Sequence, residues 1–237
     1  MSSSVQLFGV SCLSSLGSSY QATVRSLDAR PVREFLVEDK NYFREFSPKV
    51  GEVLSELPSL PEAFEDFDCR FSRLVYRLYQ GVKPEIDELK KTFSSSRIAV
   101  VFGSSTSGVD GAESPFVEKH RSGSFPESYK FFHQELGAGA RLLAGFAGVT
   151  GPAYTISTAC SSGGRVFYSG RALLESGVCD AVVVGGVDSL CKTTANGFNS
   201  LELISSGICN PMSKNRDGLN IGAVSYTHLT LPTNREV

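Results

Sequence analysis

Cys160 stands in the decapeptide TISTACSSGG, residues 155–164, where an apolar strand pattern (AYTIS) gives way to a helical one (GRVFYSGRALLESG). The change of period places a helix start near residues 159–161. The first N–H groups of a helix have no intrahelical partner and carry partial positive charge. A cysteine there has its thiolate favoured and becomes a nucleophile near neutral pH. The same N–H groups can hold the oxyanion that forms when a thioester or ester carbonyl is attacked. Ala159, Ser161, Ser162, Gly163 and Gly164 leave room for a substrate to approach the backbone. This is the logic of a nucleophile elbow, with sulfur in place of oxygen. Pattern alone leaves a second reading open, in which Cys160 is a small buried hydrophobe like most cysteines.

The other five cysteines (Cys12, Cys69, Cys179, Cys191, Cys209) are scattered without a C-x-x-C pair or a companion histidine cluster. Such usage speaks against a metal site and against a disulfide framework, and for a reduced, cytoplasmic setting. The 237 residues are 41% hydrophobic and 20% charged, with a net charge of −2. That balance lacks the basic footprint of a nucleic-acid binder. MSSSVQLFGVSCLSSLG has no basic segment before its apolar run, so no secretory leader is expected. The longest uncharged stretch, Leu142–Gly164, is long enough to span a membrane but is rich in Gly, Ser, Thr and Pro. It reads as loop, strand and turn.

Apolar runs and helical spacings position these groups. VQLFGVSCL, RIAVVFG, AYTIS and DAVVVGG read as four strands, with helices at YQATVRSLDA, SYKFFHQELGAGARLLAGFAGV and GRVFYSGRALLESG. In DCRFSRLVYRLYQGV, Phe71, Leu74, Val75 and Leu78 share one helix face, and Arg70, Arg73 and Arg77 gather on another. PEIDELKKTF reads as a further helix with Pro84 at its first position. Residues 31–66 read as irregular. Strands alternating with helices predict an α/β fold with a buried, partly parallel sheet.

The segment TISTACSSGGRVFYSGRALLESGVCDAVVVGGVDSL resembles the active-site region of the β-ketoacyl-[acyl-carrier-protein] synthases, the thiolase-like condensing enzymes of fatty acid and polyketide synthesis. VQLFGVSCLSSLG is similar to the family's first strand and its G-x-x-S-x-x-G turn. DCRFSRLVYRLYQ resembles its D-R-F-s helix, and RIAVVFGSSTSG its second strand and loop. NGFNSLELIS and NPMSKNRDGLNIG resemble the segment closing the N-terminal half, with P-x-x-x-x-R-x-G at Pro211, Arg216 and Gly218. The resemblance covers residues 5–222.

The resemblance implies a thiolase-like layered α/β fold of which only the N-terminal half is present, a mixed sheet covered by helices. It implies that Cys160 accepts an acyl group from a carrier-protein thioester. Two histidines in the other half then assist decarboxylation of a malonyl thioester, and the carbanion equivalent attacks the acyl-enzyme in a Claisen condensation. No cofactor or metal is implied. Thr106 and Phe198 match positions lining the acyl pocket in the family, where the bare pattern reads equally as a polar loop residue and a core aromatic. Arg70 and Arg73 lie on the helix that meets an acidic acyl carrier protein, where the bare pattern reads as a solvated face. A homodimer is implied for the intact protein, with no nucleic-acid or membrane partner.

Residues 1–222 are therefore read as the β-ketoacyl synthase N-terminal domain. AVSYTHLTLPTNREV, within residues 223–237, departs from the family and reads as a truncation artefact, so that the fragment alone would be inactive. His228 lacks the family's H-G-T-G-T surroundings, and His120 and His133 match neither family histidine. Two other functions fit less well. A non-catalytic ketosynthase partner subunit would lack the cysteine. A thiolase-like acyltransferase is opposed by PMSKNRDG.

Overall fold

The computed structural model describes residues 5–28, 35–44 and 46–232. RIAVVFG becomes β4 (Ile98–Gly103) and DAVVVGG becomes β6 (Ala181–Asp188), both buried along almost their whole length. An unbroken apolar run is what a strand covered on both faces requires. The two pair in parallel, with Val100 opposite Val183, and β5 (Ala153–Ile156) adds in parallel on the other side of β4. β1 (Val5–Ser14) forms the far edge.

Between β1 and β6 lies β7 (Val224–Pro232), antiparallel to both, completing a mixed sheet ordered β1-β7-β6-β4-β5. The sequence reading assigned no element to this stretch. Its alternation is nonetheless that of a strand: Ser225, Thr227 and Leu229 are buried, with Val224, Tyr226 and His228 between them more exposed. Leu229 packs into the main core, and Thr227 Oγ1 donates to the Val184 carbonyl at 3.0 Å.

Helices cover the two faces. α2 (Arg70–Thr92) and α4 (Ala138–Ala147) enclose the larger core with Phe71, Leu74, Leu78, Ile86, Leu142 and Leu143. On the other face α5 (Ser162–Glu175) sets Val166 and Leu174 against Val101, Val182 and Val184. α1 (Tyr20–Asp28) packs on β1. α3 (Val109–Ser122) and α6 (Lys192–Ser200) lie beyond the sheet's C-terminal edge, stapled where Glu113 accepts from Thr193 N–H at 2.6 Å.

Three sequence expectations are corrected. The helices on either side of Pro84 are one helix, because Leu78, Val82, Ile86 and Leu89 make a continuous buried face across the proline. Proline removes one intrahelical bond, and the residue whose carbonyl loses that donor, Gln80, is exposed. The helix expected from SYKFF onward begins only at Ala138, after a short 3-10 turn at Phe131–Gln134. Within the irregular stretch, β2 (Val37–Glu38) and β3 (Lys49–Val50) form a two-residue ladder, and Glu62–Phe67 is a 3-10 helix. The uncharged stretch Leu142–Gly164 divides among α4, β5 and the start of α5. No helix among the described residues is long and apolar enough to cross a membrane.

Candidate active site

β5 leads directly into the elbow. Ala159 has φ +51°, the left-handed region that an alanine enters at about 1–2 kcal/mol. Such a conformation persists only where its surroundings hold it. Here Thr158 N–H donates to Ser162 Oγ at 2.9 Å, Ser162 Oγ donates to the Ala159 carbonyl at 2.6 Å, and Ser161 Oγ donates to the Thr158 carbonyl at 2.8 Å. Because Ala159 cannot be helical, α5 begins at Ser162 with Ser161 as its cap, slightly later than the sequence suggested. Cys160 therefore sits just ahead of the first turn.

Cys160 is exposed, which removes the buried-hydrophobe reading. Its counterparts behave differently. Burial pushes the Cys69 and Cys179 thiols up to about 11, and raises Cys191 as well. Cys12 and Cys209 are half-buried and donate to Thr23 Oγ1 and the Gly218 carbonyl.

The C-terminal ends of β4 and β6 carry the elbow. A Cβ on Gly103 would lie 3.1 Å from the Ser162 backbone, so glycine lets the first turn of α5 settle on the end of β4. Beyond Gly103, Ser104, Ser105 and Thr106 turn toward Asp188 at the end of β6 and donate to its carboxylate. Two adjoining cavities, of about 330 and 260 Å3, are both lined by Cys160, Ala159, Ser105 and Asp188. Thr106 and Phe198 line the smaller one, together with Leu190 and Ile221. Ile221 arrives there through the P-x-x-x-x-R-x-G segment. Gly218 turns at φ +132°, where a Cβ would meet the Leu203 carbonyl at 2.8 Å.

The three residues Cys160, Thr106 and Phe198 are thus brought together, and Arg70 and Arg73 are not. Both arginines line a separate cavity of about 650 Å3, shared with Glu52, Glu56 and Asp68. Arg73 makes a two-pronged pair with Asp68, whose carboxyl it holds below the usual range. Arg70 turns inward and donates to the Val53 carbonyl at 2.6 Å. His120 is exposed on α3, and His133 is buried beside Gly111. His228 is half-buried with its ring edge-on to Phe167 at 5.5 Å. None of the three lines either cavity at Cys160.

Asp188 escaped the sequence reading. Its signal was an acid closing an apolar strand at the carboxyl end, where open α/β sheets place their ligand sites. Tyr226 also lines the larger cavity, donates to the Gly163 carbonyl and stacks on Phe167; burial, with Asp188 adding to it, pushes its hydroxyl up to about 12.

This geometry has close parallels. A solved structure of a ketosynthase (ApeO) in complex with its chain length factor (ApeC) from Xenorhabdus doucetiae superposes with a TM-score of 0.88 at 33% identity, over 98% of this chain and 59% of that one. A β-ketoacyl synthase from Burkholderia phymatum shares the fold at 19% identity, with a TM-score of 0.81 over 97% of this chain and 59% of its own. The sheet and its helices are thus the N-terminal half of the thiolase-like fold. In sequence, the chain is 33% identical over 91 residues to the chloroplastic 3-oxoacyl-[acyl-carrier-protein] synthase I of Hordeum vulgare, covering 35% of this chain and 20% of that protein. It is 27% identical over 168 residues to the non-reducing polyketide synthase dpfgA of Gibberella zeae, covering 66% of this chain and 8% of the synthase. The chain therefore spans a fifth or less of these two relatives. The family model for the β-ketoacyl synthase N-terminal domain matches residues 81–223, and the chain belongs to the β-ketoacyl synthase family.

Proposed function

We propose that this chain is the nucleophile-bearing half of a 3-oxoacyl-[acyl-carrier-protein] synthase working in fatty acid or polyketide-type biosynthesis. The observation that carries the reading is the exposed Cys160 on a strained elbow, opening on a cavity lined by Thr106 and Phe198. The Cys160 thiolate attacks the carbonyl carbon of an acyl-carrier-protein thioester. The bond to the carrier's sulfur breaks, the carrier leaves as a thiolate that takes its proton from solvent, and the acyl group stays on Sγ. Malonyl carrier protein then loses its carboxylate as carbon dioxide. The electron pair left on carbon attacks the acyl-enzyme carbonyl, the new C–C bond forms, and Cys160 recovers its thiolate.

In this reading the intact protein is a cytoplasmic homodimer and docks the carrier through Arg70 and Arg73. The decarboxylation step needs groups that stabilise the developing enolate. His120, His133 and His228 stand away from the cavities at Cys160, so that step belongs to histidines outside this chain, and the 237 residues alone are proposed to be acylated without condensing. The test is incubation with an acyl-carrier-protein thioester, followed by intact mass measurement. A mass gain of one acyl group that disappears in Cys160→Ala supports the reading. No gain, or a gain that survives Cys160→Ala, overturns it.

A further inference from the structure

Asp188 Oδ1 gathers hydrogen bonds from four donors of the loop after β4: Ser104 Oγ at 2.9 Å, Ser105 N–H at 2.8 Å, Thr106 N–H at 3.0 Å and Thr106 Oγ1 at 3.0 Å. Hydrogen bonds to an ionised acceptor are roughly twice as strong as neutral ones. The loop is tied from its far side as well. Ser107 N–H donates to Ser104 Oγ at 2.8 Å, and Ser107, left-handed at φ +49°, donates its hydroxyl to the Glu135 carbonyl at 2.8 Å. Ser104 and Ser107 are fully buried, so these bonds face little competition from water. The loop carries Thr106 onto the wall of the smaller cavity at Cys160, and Asp188 lines that cavity and its neighbour.

We infer that Asp188 is a positioning residue that fixes Thr106 as the wall of the acyl cavity and thereby sets which acyl groups, by size, reach Cys160. The inference rests on the acyl-transfer reading above. Its physical basis does not. Removing the carboxylate leaves two adjacent N–H groups and two hydroxyls without their shared acceptor. The loop then relaxes toward other partners, and the cavity changes shape before it changes chemistry. Asp188 acts here through Thr106, not on the reacting atoms.

The test uses the full chain with two probes, acetyl- and octanoyl-N-acetylcysteamine, reading the ratio of the two acylation rates at Cys160 by intact mass. Hydrogen exchange at the Ser105 and Thr106 amides is read in parallel. Asp188→Ala is expected to speed exchange at both amides about tenfold or more and to shift the octanoyl-to-acetyl ratio about tenfold. Asp188→Asn keeps an acceptor oxygen and is expected to hold the ratio within about threefold of the parent. Unchanged exchange in Asp188→Ala overturns the clamp, and faster exchange with an unchanged ratio overturns its link to acyl size. If Asp188→Ala does not fold, Thr106→Val removes one of the four donors alone. A ratio shift of about threefold supports the inference there, and an unchanged ratio overturns it. A parent chain that iodoacetamide alkylates at Cys160 but neither thioester acylates overturns the acyl-transfer reading and the size selection with it. The clamp is then decided by exchange.

Discussion

Thr158 and Ser162 close the elbow around Cys160: Thr158 N–H donates to Ser162 Oγ at 2.9 Å while the same hydroxyl donates to the Ala159 carbonyl at 2.6 Å. Ser162 is 3% exposed, so one buried hydroxyl satisfies both ends of a turn that holds alanine in a left-handed conformation. Ser162→Ala leaves the Thr158 N–H without its acceptor, while the Ala159 carbonyl keeps the Ser162 backbone N–H at 3.0 Å, a loss of about 1 kcal/mol. The expected outcome is a lower urea midpoint together with slower alkylation of Cys160. A variant that loses stability but alkylates at the parent rate would show that the hydroxyl serves the fold and not the nucleophile.

Limited iodoacetamide treatment followed by peptide mapping is expected to mark Cys160 first. It is exposed, whereas Cys69, Cys179 and Cys191 are held as thiols by burial. Earlier labelling at Cys179 or Cys191 would contradict this order.

Arg73 is the better of the two arginines for testing carrier docking. Its pair with Asp68 is partly exposed, and such pairs are worth about 0–1 kcal/mol, little enough for Arg73 to change partners. Arg73→Glu is expected to weaken association with an acidic carrier protein several-fold at low salt and less at high salt, measured by titration calorimetry or surface plasmon resonance. Binding unaffected at low ionic strength would return Arg73 to a solvated face. Arg70→Glu also breaks the bond to the Val53 carbonyl, so a lower melting temperature is expected beside any loss of binding.

Burial lowers the His133 pKa, against a smaller opposing pull from Asp68. A folded-state pKa below the unfolded value of about 6.5 means that the unfolded chain binds the proton first. Stability is therefore full above about pH 6.5 and declines as pH falls toward the depressed folded value. His228, also lowered by burial, acts in the same direction. Urea unfolding at pH 7.5 and pH 5 is expected to show a smaller loss in His133→Leu than in the parent. An equal loss in both would remove His133 from the acid limb.

With acyl and malonyl carrier-protein thioesters together, the chain is expected to stop at the acyl-enzyme, because one member of a catalytic set loses most of the rate without its partners. Multiple turnovers of β-ketoacyl product would reject this and return attention to His228.

Local pattern was enough for β4, β6 and α5 and for singling out Cys160, since an apolar run and a change of period are properties of neighbouring residues. The RIAVVFG and DAVVVGG runs are strands in any register, and the small residues around Cys160 already describe a tight turn. Tertiary structure decided the rest. Pro84 ends a helix by local rules, yet the buried face from Leu74 to Leu89 carries α2 through it. The alternation in VSYTHLTL becomes a strand only because β1 and β6 offer open edges on either side. Asp188 shows locally only as an acid closing an apolar strand, because the donors that give it a role lie 82 to 84 residues earlier in the chain. Arg73 and Arg77 look alike in sequence, but only Arg73 meets Asp68, while Arg77 reaches the Ser18 carbonyl. Sequence thus determined which groups could react. Long-range pairing determined which of them share a cavity, because hydrogen bonds and packing act across space and not along the chain.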